Sequence, residues 1–266
     1  METAIISLKN EKVKALEKLQ KPRIRAEKNL IIVEGEREIQ LACEAGLKIS
    51  DFFYCPQLIK NQKALSIIKT QAININTVTP EIFKKMAYKE NPDGFLATIS
   101  PTYPNLKDLK LTKNPLIIVL ESVEKPGNLG GILRTAYAAG VEVVIINDPQ
   151  TDIYNPNVIR ASMGYIFTVP TVIASISETV KFLKDKRIIS YGTTIKGGEQ
   201  YTKANFKKPT ALVMGTENSG LSQNWLKKIE KKITIPMKAK IDSLNVSVST
   251  AIIVYEALRQ RNFIDF

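Results

Sequence analysis

Residues 210–222, TALVMGTENSGLS, and residues 233–261, ITIPMKAKIDSLNVSVSTAIIVYEALRQR, carry the pattern that decides the fold of this chain. Two polar loops, Gly215–Ser222 and Met237–Asn245, each follow a short apolar run of strand length and precede a helix-like run. We therefore expect both loops at the carboxyl ends of strands, where open α/β sheets bind their ligands. Asn245 or Ser247 can cap the last helix. The apolar residues of that helix recur at helical spacing, namely Val248, Ala251, Ile252, Tyr255 and Leu258.

A third loop of the same kind lies within residues 116–148, where GNLGGILRTAYAAG (residues 127–140) begins a helix. Gly127, Gly130 and Gly131 permit a tight strand-to-helix turn with exposed backbone N–H groups, which suits an anion. The spacing is not G-x-G-x-x-G, and no G-K-[ST] follows. The loop is therefore neither a Rossmann fingerprint nor a Walker motif.

Two charged residues of these loops are candidate site residues. Arg134 is expected on the side of the helix that carries Asn128, where its guanidinium can grip a phosphate in a fork. A structural arginine fits this position equally well. Glu217 places one carboxylate beside several possible main-chain donors, although a lone carboxylate in a loop is ordinarily solvated.

The loop after Thr234 combines apolar and polar residues. Ile235, Met237 and Leu244 either pack into the core or wall a planar ring, with backbone groups binding the edge of that ring. Ser243 and Asn245 are uncharged hydrogen-bonding groups next to this wall.

The order of the apolar runs predicts an α/β fold with two domains. Strand-like and helix-like runs alternate over about 90 N-terminal residues, which indicates a small α/β domain. The stretch SPTYPNLKDLKLTKNP has three prolines and no apolar periodicity, so we place a linker at 101–114, between domains at 1–100 and 115–266. The second domain has nearly continuous Val/Ile runs, typical of a parallel sheet covered on both faces.

Composition favours a polyanionic partner. The 266 residues include 38 Lys and Arg against 26 Asp and Glu, for a formal charge of +12 and a pI near 9.5. Such a surplus suits phosphate contacts with nucleic acid, although a soluble lysine-rich protein without that partner has the same composition. Lys21, Arg23 and Arg25 crowd around Pro22, either as an RNA-phosphate contact or as a solvated helix end.

The residue types that are missing exclude several classes of enzyme. The chain has no histidine, which removes Ser-His and Cys-His catalysis and the commonest metal ligand. Cys43 and Cys55 each lie in an apolar run, so we expect core thiols and neither a disulfide framework nor a metal site. We see no signal peptide and no apolar stretch of about 18 residues, and expect a cytoplasmic protein.

Together the three loops read N-x-G-x-x-x-R from Asn128, G-x-E-x-x-G-L from Gly215 and I-P-M-x(6)-L-N-V-S from Ile235. In this order they resemble the three motifs of the SpoU (TrmH-like) family of RNA 2′-O-ribose methyltransferases, over residues 116–261. KPRIRAEKNLIIVEGEREIQ (residues 21–40) is more loosely similar to the ribosomal-protein-like RNA-binding domain that many family members carry.

This resemblance implies a knotted catalytic domain, with the C-terminal segment threaded through a loop as a deep trefoil knot. It implies S-adenosylmethionine bound in a bent form by Gly215, Ile235 and Leu244, with Met214 and Thr193 as further candidates. A second set of residues would line the reaction centre, namely Asn128, Arg134, Glu217, Ser243 and Asn245. Family members are homodimers in which the partner's first-motif residues can help to form the site.

The implied activity is methyl transfer to a ribose 2′-hydroxyl of RNA, with 23S ribosomal RNA favoured over tRNA. Since guanidinium pKa values exceed about 12, we expect Arg134 to grip the neighbouring phosphate and lower the pKa of the 2′-hydroxyl, and we leave the general base open. The alternatives are a tRNA 2′-O-methyltransferase, a catalytically silent RNA-binding module of the same fold, an enzyme of another nucleotide, and a base methyltransferase.

Overall fold

The computed structural model describes residues 2–216, 219–238 and 243–263. The chain divides into two compact units. The first comprises Met1–Thr102 together with Tyr154–Thr168, and the second comprises Tyr103–Ile153 together with Val169–Phe266. Each unit has its own β-sheet with helices, so the predicted α/β class is confirmed.

The N-terminal stretch contributes most of the first unit. Its elements are, in chain order, β1 (Glu2–Ile5), α1 (Glu11–Leu19), α2 (Pro22–Lys28), β2 (Ile31–Glu34), α3 (Glu36–Glu44), β3 (Ile49–Tyr54), α4 (Gln62–Gln71), β4 (Ala72–Val78), α5 (Pro80–Met86) and β5 (Phe95–Ile99). The strand order is β1-β4-β3-β5-β2, with β5 antiparallel to both of its neighbours.

The first helices show how sequence pattern becomes packing. The side chain of Asn10 accepts a hydrogen bond from Lys12 N and so caps α1, whose Val13, Leu16 and Leu19 are buried as their spacing predicts. The basic stretch that follows forms a second helix, α2, with Pro22 in its first turn, where the missing N–H is not needed.

The rest of the chain supplies the second sheet. Its elements are, in chain order, β6 (Leu116–Glu121), α6 (Pro126–Ala138), β7 (Val143–Asn147), α7 (Pro156–Ala161), β8 (Thr171–Ile173), α8 (Ile176–Asp185), β9 (Ile189–Thr193), β10 (Glu199–Gln200), β11 (Thr210–Met214), α9 (Gln223–Leu226), β12 (Lys231–Thr234) and α10 (Val246–Gln260). The strand order is β10-β12-β9-β11-β6-β7-β8, and every described pair is parallel.

One segment from between β7 and β8 belongs to the first unit. Tyr154 Oη donates a hydrogen bond to the carbonyl of Thr102 (2.6 Å), and α7 contacts β2. The guanidinium of Arg37 lies over the ring of Tyr165, 5.0 Å from its centroid. Ile159 of this segment is only 2% exposed, so residues 154–168 are part of the packed interior of that unit.

The parallel register brings the ends of the central strands of the second sheet to one edge. Glu121 pairs with Asn147, Met214 with Leu120, and Ile233 with Thr193. Because parallel strands share direction, the segments that follow β6, β9, β11 and β12 all leave this carboxyl edge. No helix among the described residues combines the length and the apolar character needed to cross a bilayer.

Candidate functional site

A cavity of about 370 Å³ opens at the carboxyl edge of the second sheet. Its walls come from residues within the segments 193–197, 214–216, 219–221, 232–237 and 243–249, and from Leu226. All five residues proposed to hold the cofactor line it, namely Thr193, Met214, Gly215, Ile235 and Leu244. Ser243, from the second set of candidates, lines the same cavity. The structure thus brings together residues that are up to 51 positions apart in the sequence.

Backbone crowding explains the glycine at position 215. A Cβ there would lie 2.1 Å from the carbonyl carbon of Gly220, which is far inside any van der Waals contact. The close approach comes from paired hydrogen bonds, Thr216 N to Gly220 O (3.0 Å) and Gly220 N to Thr216 O (3.1 Å). Any larger residue at 215 would push this cavity wall apart. Glu217 lies outside the described residues.

Asn245 joins the starts of two helices. Its Oδ1 accepts from Ser247 N (3.0 Å) and Val248 N (3.4 Å), so Asn245 is the cap of α10. Its Nδ2 donates to Oδ1 of Asn128 on α6 (3.0 Å). Asn128 also lines a small cavity of about 40 Å³, which shares Gly215, Thr216 and Val246 with the larger one. Asn128 and Asn245 therefore lie beside the larger cavity.

Helices α6 and α10 pack against each other where Gly131 faces Ser247. A Cβ on Gly131 would lie 3.5 Å from the Cβ of Ser247, an ordinary contact distance, so the two backbones approach at this point. The first and third sequence motifs are thereby held together by helix packing as well as by the asparagine pair.

Arg134 is placed differently from the expectation. Because α6 begins at Pro126, Arg134 lies in its third turn, and six positions at about 100° each separate it from the direction of Asn128 by about 120°. Arg134 is exposed, lines neither cavity, and has no hydrogen bond or ion pair with the described part of the chain.

The basic cluster of the first unit divides into two kinds of residue. Lys21 and Arg23 are exposed, as an RNA contact requires. Arg25 is 3% exposed, and its Nη1 donates to the carbonyls of Leu19 (2.9 Å) and Gln20 (2.8 Å) at the end of α1. Because its guanidinium binds carbonyls at the end of α1 in the interior, Arg25 is not placed to contact an RNA phosphate, in contrast to the expectation from the sequence.

The sequence did not single out the segment from Thr194 to Gly197, or Lys232, as parts of the cavity wall. The available signal was the glycine pair Gly197–Gly198 directly after a strand, which marks another loop at a carboxyl end. Among the described residues, no group of three His, Cys, Asp or Glu is arranged to hold a metal ion.

Comparison with known proteins identifies the family. The profile of the SpoU rRNA methylase family matches residues 115–255, and that of the MRM3-like substrate binding domain matches residues 10–97. The chain belongs to the SpoU rRNA methylase family. The resemblance seen in the three sequence motifs is thereby confirmed, and with it the prediction of an RNA 2′-O-methyltransferase.

Its relatives in this family are similar over nearly their whole length. The 23S rRNA (guanosine(2553)-2′-O)-methyltransferase RlmP of Bacillus subtilis is 28% identical over 94% of this chain and 97% of its own. The 23S rRNA (guanosine-2′-O-)-methyltransferase RlmB of Blochmanniella floridana is 31% identical over 78% of this chain and 85% of its own. The crystal structure of an AdoMet-bound rRNA methyltransferase from Sinorhizobium meliloti has a TM-score of 0.89 and 27% identity, over 97% of this chain and 98% of that one.

Proposed function

We propose that this chain transfers a methyl group from S-adenosylmethionine to the 2′-hydroxyl of a ribose in 23S ribosomal RNA. The main support for this proposal is that the three motif loops come together. Residues of the second and third motifs line the larger cavity, and beside it Asn128 of the first motif is hydrogen-bonded to Asn245 of the third. The names of the two curated relatives support ribose 2′-oxygen and 23S rRNA as target atom and substrate.

The cavity suits a cofactor of this size and chemistry. Its volume of about 370 Å³ falls in the range of about 300–1,000 Å³ typical of small-molecule sites. Ile235, Leu244 and Leu221 offer apolar walls for a planar base, while Gly215 brings backbone close without a side chain in the way. When bound, S-adenosylmethionine supplies a methyl group activated by a positively charged sulfur.

The chain's own residues orient the ribose. In the transfer, the 2′-oxygen gains the methyl carbon as sulfur releases it, and the hydroxyl loses its proton. No imidazole takes that proton, since the chain has no histidine. We assign the uncharged amides of Asn128 and Asn245 to positioning the sugar, because holding two reactants at about 3–3.5 Å removes much of the barrier. Ser243 and Glu217 are assigned to the same centre on their motif positions.

We further propose that the active form is a homodimer in which Arg134 of one protomer acts at the partner's site. Arg134 is exposed and outside its own cavity. Helices α6 and α10 also expose large apolar side chains: Tyr137 is 45%, Val248 48% and Tyr255 45% exposed. Apolar residues on the open faces of two packed helices favour a protein partner. The trefoil knot stays a prediction of family membership.

RNA binding is assigned to exposed cations in each unit separately. In the first, which includes the part matched by the substrate binding domain profile, Lys21 and Arg23 are exposed at the start of α2. In the second, exposed Lys196 and Lys232 are part of the cavity wall. These ammonium groups suit an RNA phosphate better than a cofactor whose reactive centre is itself a cation.

The test is methylation of defined RNA by the purified protein. Unmodified 23S rRNA and a tRNA pool are incubated separately with S-adenosylmethionine, digested with nuclease, and analysed by mass spectrometry. We expect a 2′-O-methylated nucleoside from 23S rRNA and none from tRNA. Methylation of a base, or of tRNA alone, contradicts the proposed target. Cofactor binding by calorimetry without any methyl transfer would favour a silent RNA-binding module.

A further inference from the structure

Two buried polar residues lie side by side at the carboxyl edge of the second sheet, outside the three sequence motifs. Glu121 ends β6, Asn147 ends β7, and the two are direct partners in the strand register. Glu121 is 4% exposed and Asn147 is fully buried. Burying an amide and a carboxyl group is unfavourable unless their hydrogen bonds are made, so their partners show what they hold in place.

Both side chains bind the segment that follows the second motif. An Oε2 atom of Glu121 accepts a hydrogen bond from Ser222 N (2.8 Å), across 101 positions in the sequence. Oδ1 of Asn147 accepts from Nε1 of Trp225 (3.1 Å), and its Nδ2 donates to Ala174 O (2.7 Å) and Thr179 Oγ1 (2.8 Å). The two residues thus fix both ends of a short stretch, residues 222–225.

That stretch carries part of the cavity wall. Leu221 directly precedes Ser222, Leu226 directly follows Trp225, and both leucines line the cavity. The helix that includes Leu226, α9 (Gln223–Leu226), has only four residues, which is far too short to be stable by its own hydrogen bonds. Tertiary contacts therefore set the position of α9. These contacts include the hydrogen bonds that Glu121 accepts from Ser222 N and Asn147 accepts from Trp225 Nε1.

We propose that Glu121 and Asn147 are positioning residues for cofactor binding, which hold residues 221–226 so that Leu221 and Leu226 wall the bound cofactor. The inference rests on the proposed function, because it takes S-adenosylmethionine as the ligand of the cavity. Neither side chain lines the cavity itself, so both act through the segment that they hold.

The chain offers a matched control. Glu142 also uses its carboxylate to hold a distant segment, accepting from Thr112 N (2.8 Å) and Thr112 Oγ1 (2.6 Å). It lies next to the amino end of β7, since its own N–H donates to Leu116 O at the start of β6. Glu142→Ala removes two more exposed hydrogen bonds of a carboxylate at the opposite edge of the sheet.

The experiment measures the Kd of S-adenosylmethionine by calorimetry, and thermal unfolding, for the wild type, Glu121→Ala, Glu121→Gln, Asn147→Ala and Glu142→Ala. We expect Glu121→Ala and Asn147→Ala, each of which removes the acceptor oxygen, to raise Kd at least tenfold and Glu142→Ala to leave it within twofold. The Glu121→Gln variant keeps an acceptor oxygen and should stay within about threefold of wild type. In turnover, the loss in Glu121→Ala should appear in the KM for the cofactor.

A second readout follows the segment directly. Hydrogen exchange at residues 221–226 should accelerate in Glu121→Ala and stay unchanged in Glu142→Ala. A folded Glu121→Ala with unchanged Kd overturns the inference, and if that variant does not fold, unchanged Kd in folded Asn147→Ala does so. If the wild type does not bind S-adenosylmethionine, the proposed function itself is wrong. That result differs from an unchanged Kd in the variants, which contradicts only the positioning role of Glu121 and Asn147.

Discussion

Asn245 and Asn128 are joined by a hydrogen bond of 3.0 Å between Nδ2 of the former and Oδ1 of the latter, across 117 positions in the sequence. The same Asn245 caps α10 through its Oδ1. One side chain therefore stabilises a helix end with its oxygen and connects two sequence motifs with its nitrogen. Substitution at position 245 can separate the capping of α10 from the hydrogen bond to Asn128.

Asn245→Asp keeps the capping oxygen and loses the Nδ2 donor. We expect its stability to stay near wild type, while methyl transfer falls about 100-fold because the sugar-positioning pair is broken. Asn245→Ala loses the cap as well and should unfold about 1 kcal/mol more easily. The measurements are urea unfolding and single-turnover methylation. Asn10→Ala, which removes the cap of α1, is the matched control and should lose stability without losing transfer.

Arg134→Lys should lose about 100-fold or more in methyl transfer, since a point charge cannot replace the fork that grips a phosphate. Because Arg134 is exposed and has no hydrogen bond or ion pair with the described part of the chain, stability should stay within about 0.5 kcal/mol. The Kd for the cofactor should change little. Near-normal turnover would refute the role of Arg134.

Mixing two inactive variants tests whether Arg134 acts across a dimer. In a heterodimer of Arg134→Ala and Asn245→Asp, one site would have both intact residues if Arg134 comes from the partner. Random pairing then restores about a quarter of wild-type activity, because half of the dimers are mixed and one of their two sites is whole. No recovery after co-refolding would place Arg134 in its own protomer's site.

The basic cluster of the first unit should respond unequally to substitution. Lys21→Glu with Arg23→Glu should weaken RNA binding and reduce the salt slope by about 0.7–0.9 per lost phosphate contact. Arg25→Ala should instead lower stability, since it leaves the buried carbonyl of Leu19 and the carbonyl of Gln20 without this donor. Filter binding across a salt series reports the first effect. Lys207→Glu with Lys208→Glu, exposed in the second unit, is the control for net charge.

Acid should weaken the edge of the first sheet through Glu2. The hydrogen bond from Tyr54, with those from Thr77 and Lys69, lowers the pKa of Glu2 from 4.5 to about 2. A lowered pKa stabilises the fold above pH 4.5, and this stabilisation disappears as pH falls from 4.5 towards 2. Since the carboxylate is 42% exposed, we expect only about 1 kcal/mol from it.

The measurement is urea unfolding of wild type and Glu2→Gln at several pH values. The difference in unfolding free energy should be largest at neutral pH and vanish near pH 2. Glu17→Gln, an exposed carboxylate of α1, serves as the control. A difference that does not depend on pH would mean that the ionised form of Glu2 is not what stabilises β1.

The first unit should need residues 154–168 to fold well. In the first unit, the side chains of Val158, Ile159 and Ile166 are buried. A fragment of residues 1–102 alone would expose to solvent the surface against which these side chains pack. Because Tyr154 Oη bonds Thr102 O, a short Gly/Ser linker can replace residues 103–153. We expect the fusion to unfold cooperatively at a higher Tm than residues 1–102. Equal Tm values would contradict the prediction, and an Ile159→Asp fusion is the control.

Local pattern accounts for much of what the sequence predicted correctly. Apolar periodicity found the buried face of α1, and Asn245, one of the two residues expected to cap the last helix, is the cap of α10. Such features depend on residues within a turn or two of each other. The β1 strand was missed because four mostly exposed residues carry no such pattern, and its pairing with β4 is set by residues more than 70 positions away.

Errors arose where a side chain has two possible environments. Arg25 belongs to a basic run that looks solvated, but helical spacing turns it inward, where carbonyls at the end of α1 accept its N–H groups.

The domain division at 100 and 115 treated each domain as one continuous stretch. Periodicity alone shows that a helix such as α7 has an apolar face, without showing which of two cores will bury it.

The sequence by itself determined the family, the α/β class and the three loops that follow strands, because motif spacing and apolar period are local properties. Only the tertiary structure decided that five separated residues share one cavity, that Asn245 reaches Asn128, that Arg25 is buried, and that Glu121 and Asn147 accept hydrogen bonds from Ser222 and Trp225. The physical reason is that hydrogen bonds and packing between distant residues depend on strand order and register. Strand order and register depend on how all segments of the chain pack together to bury their apolar residues, and no single stretch of sequence contains that information.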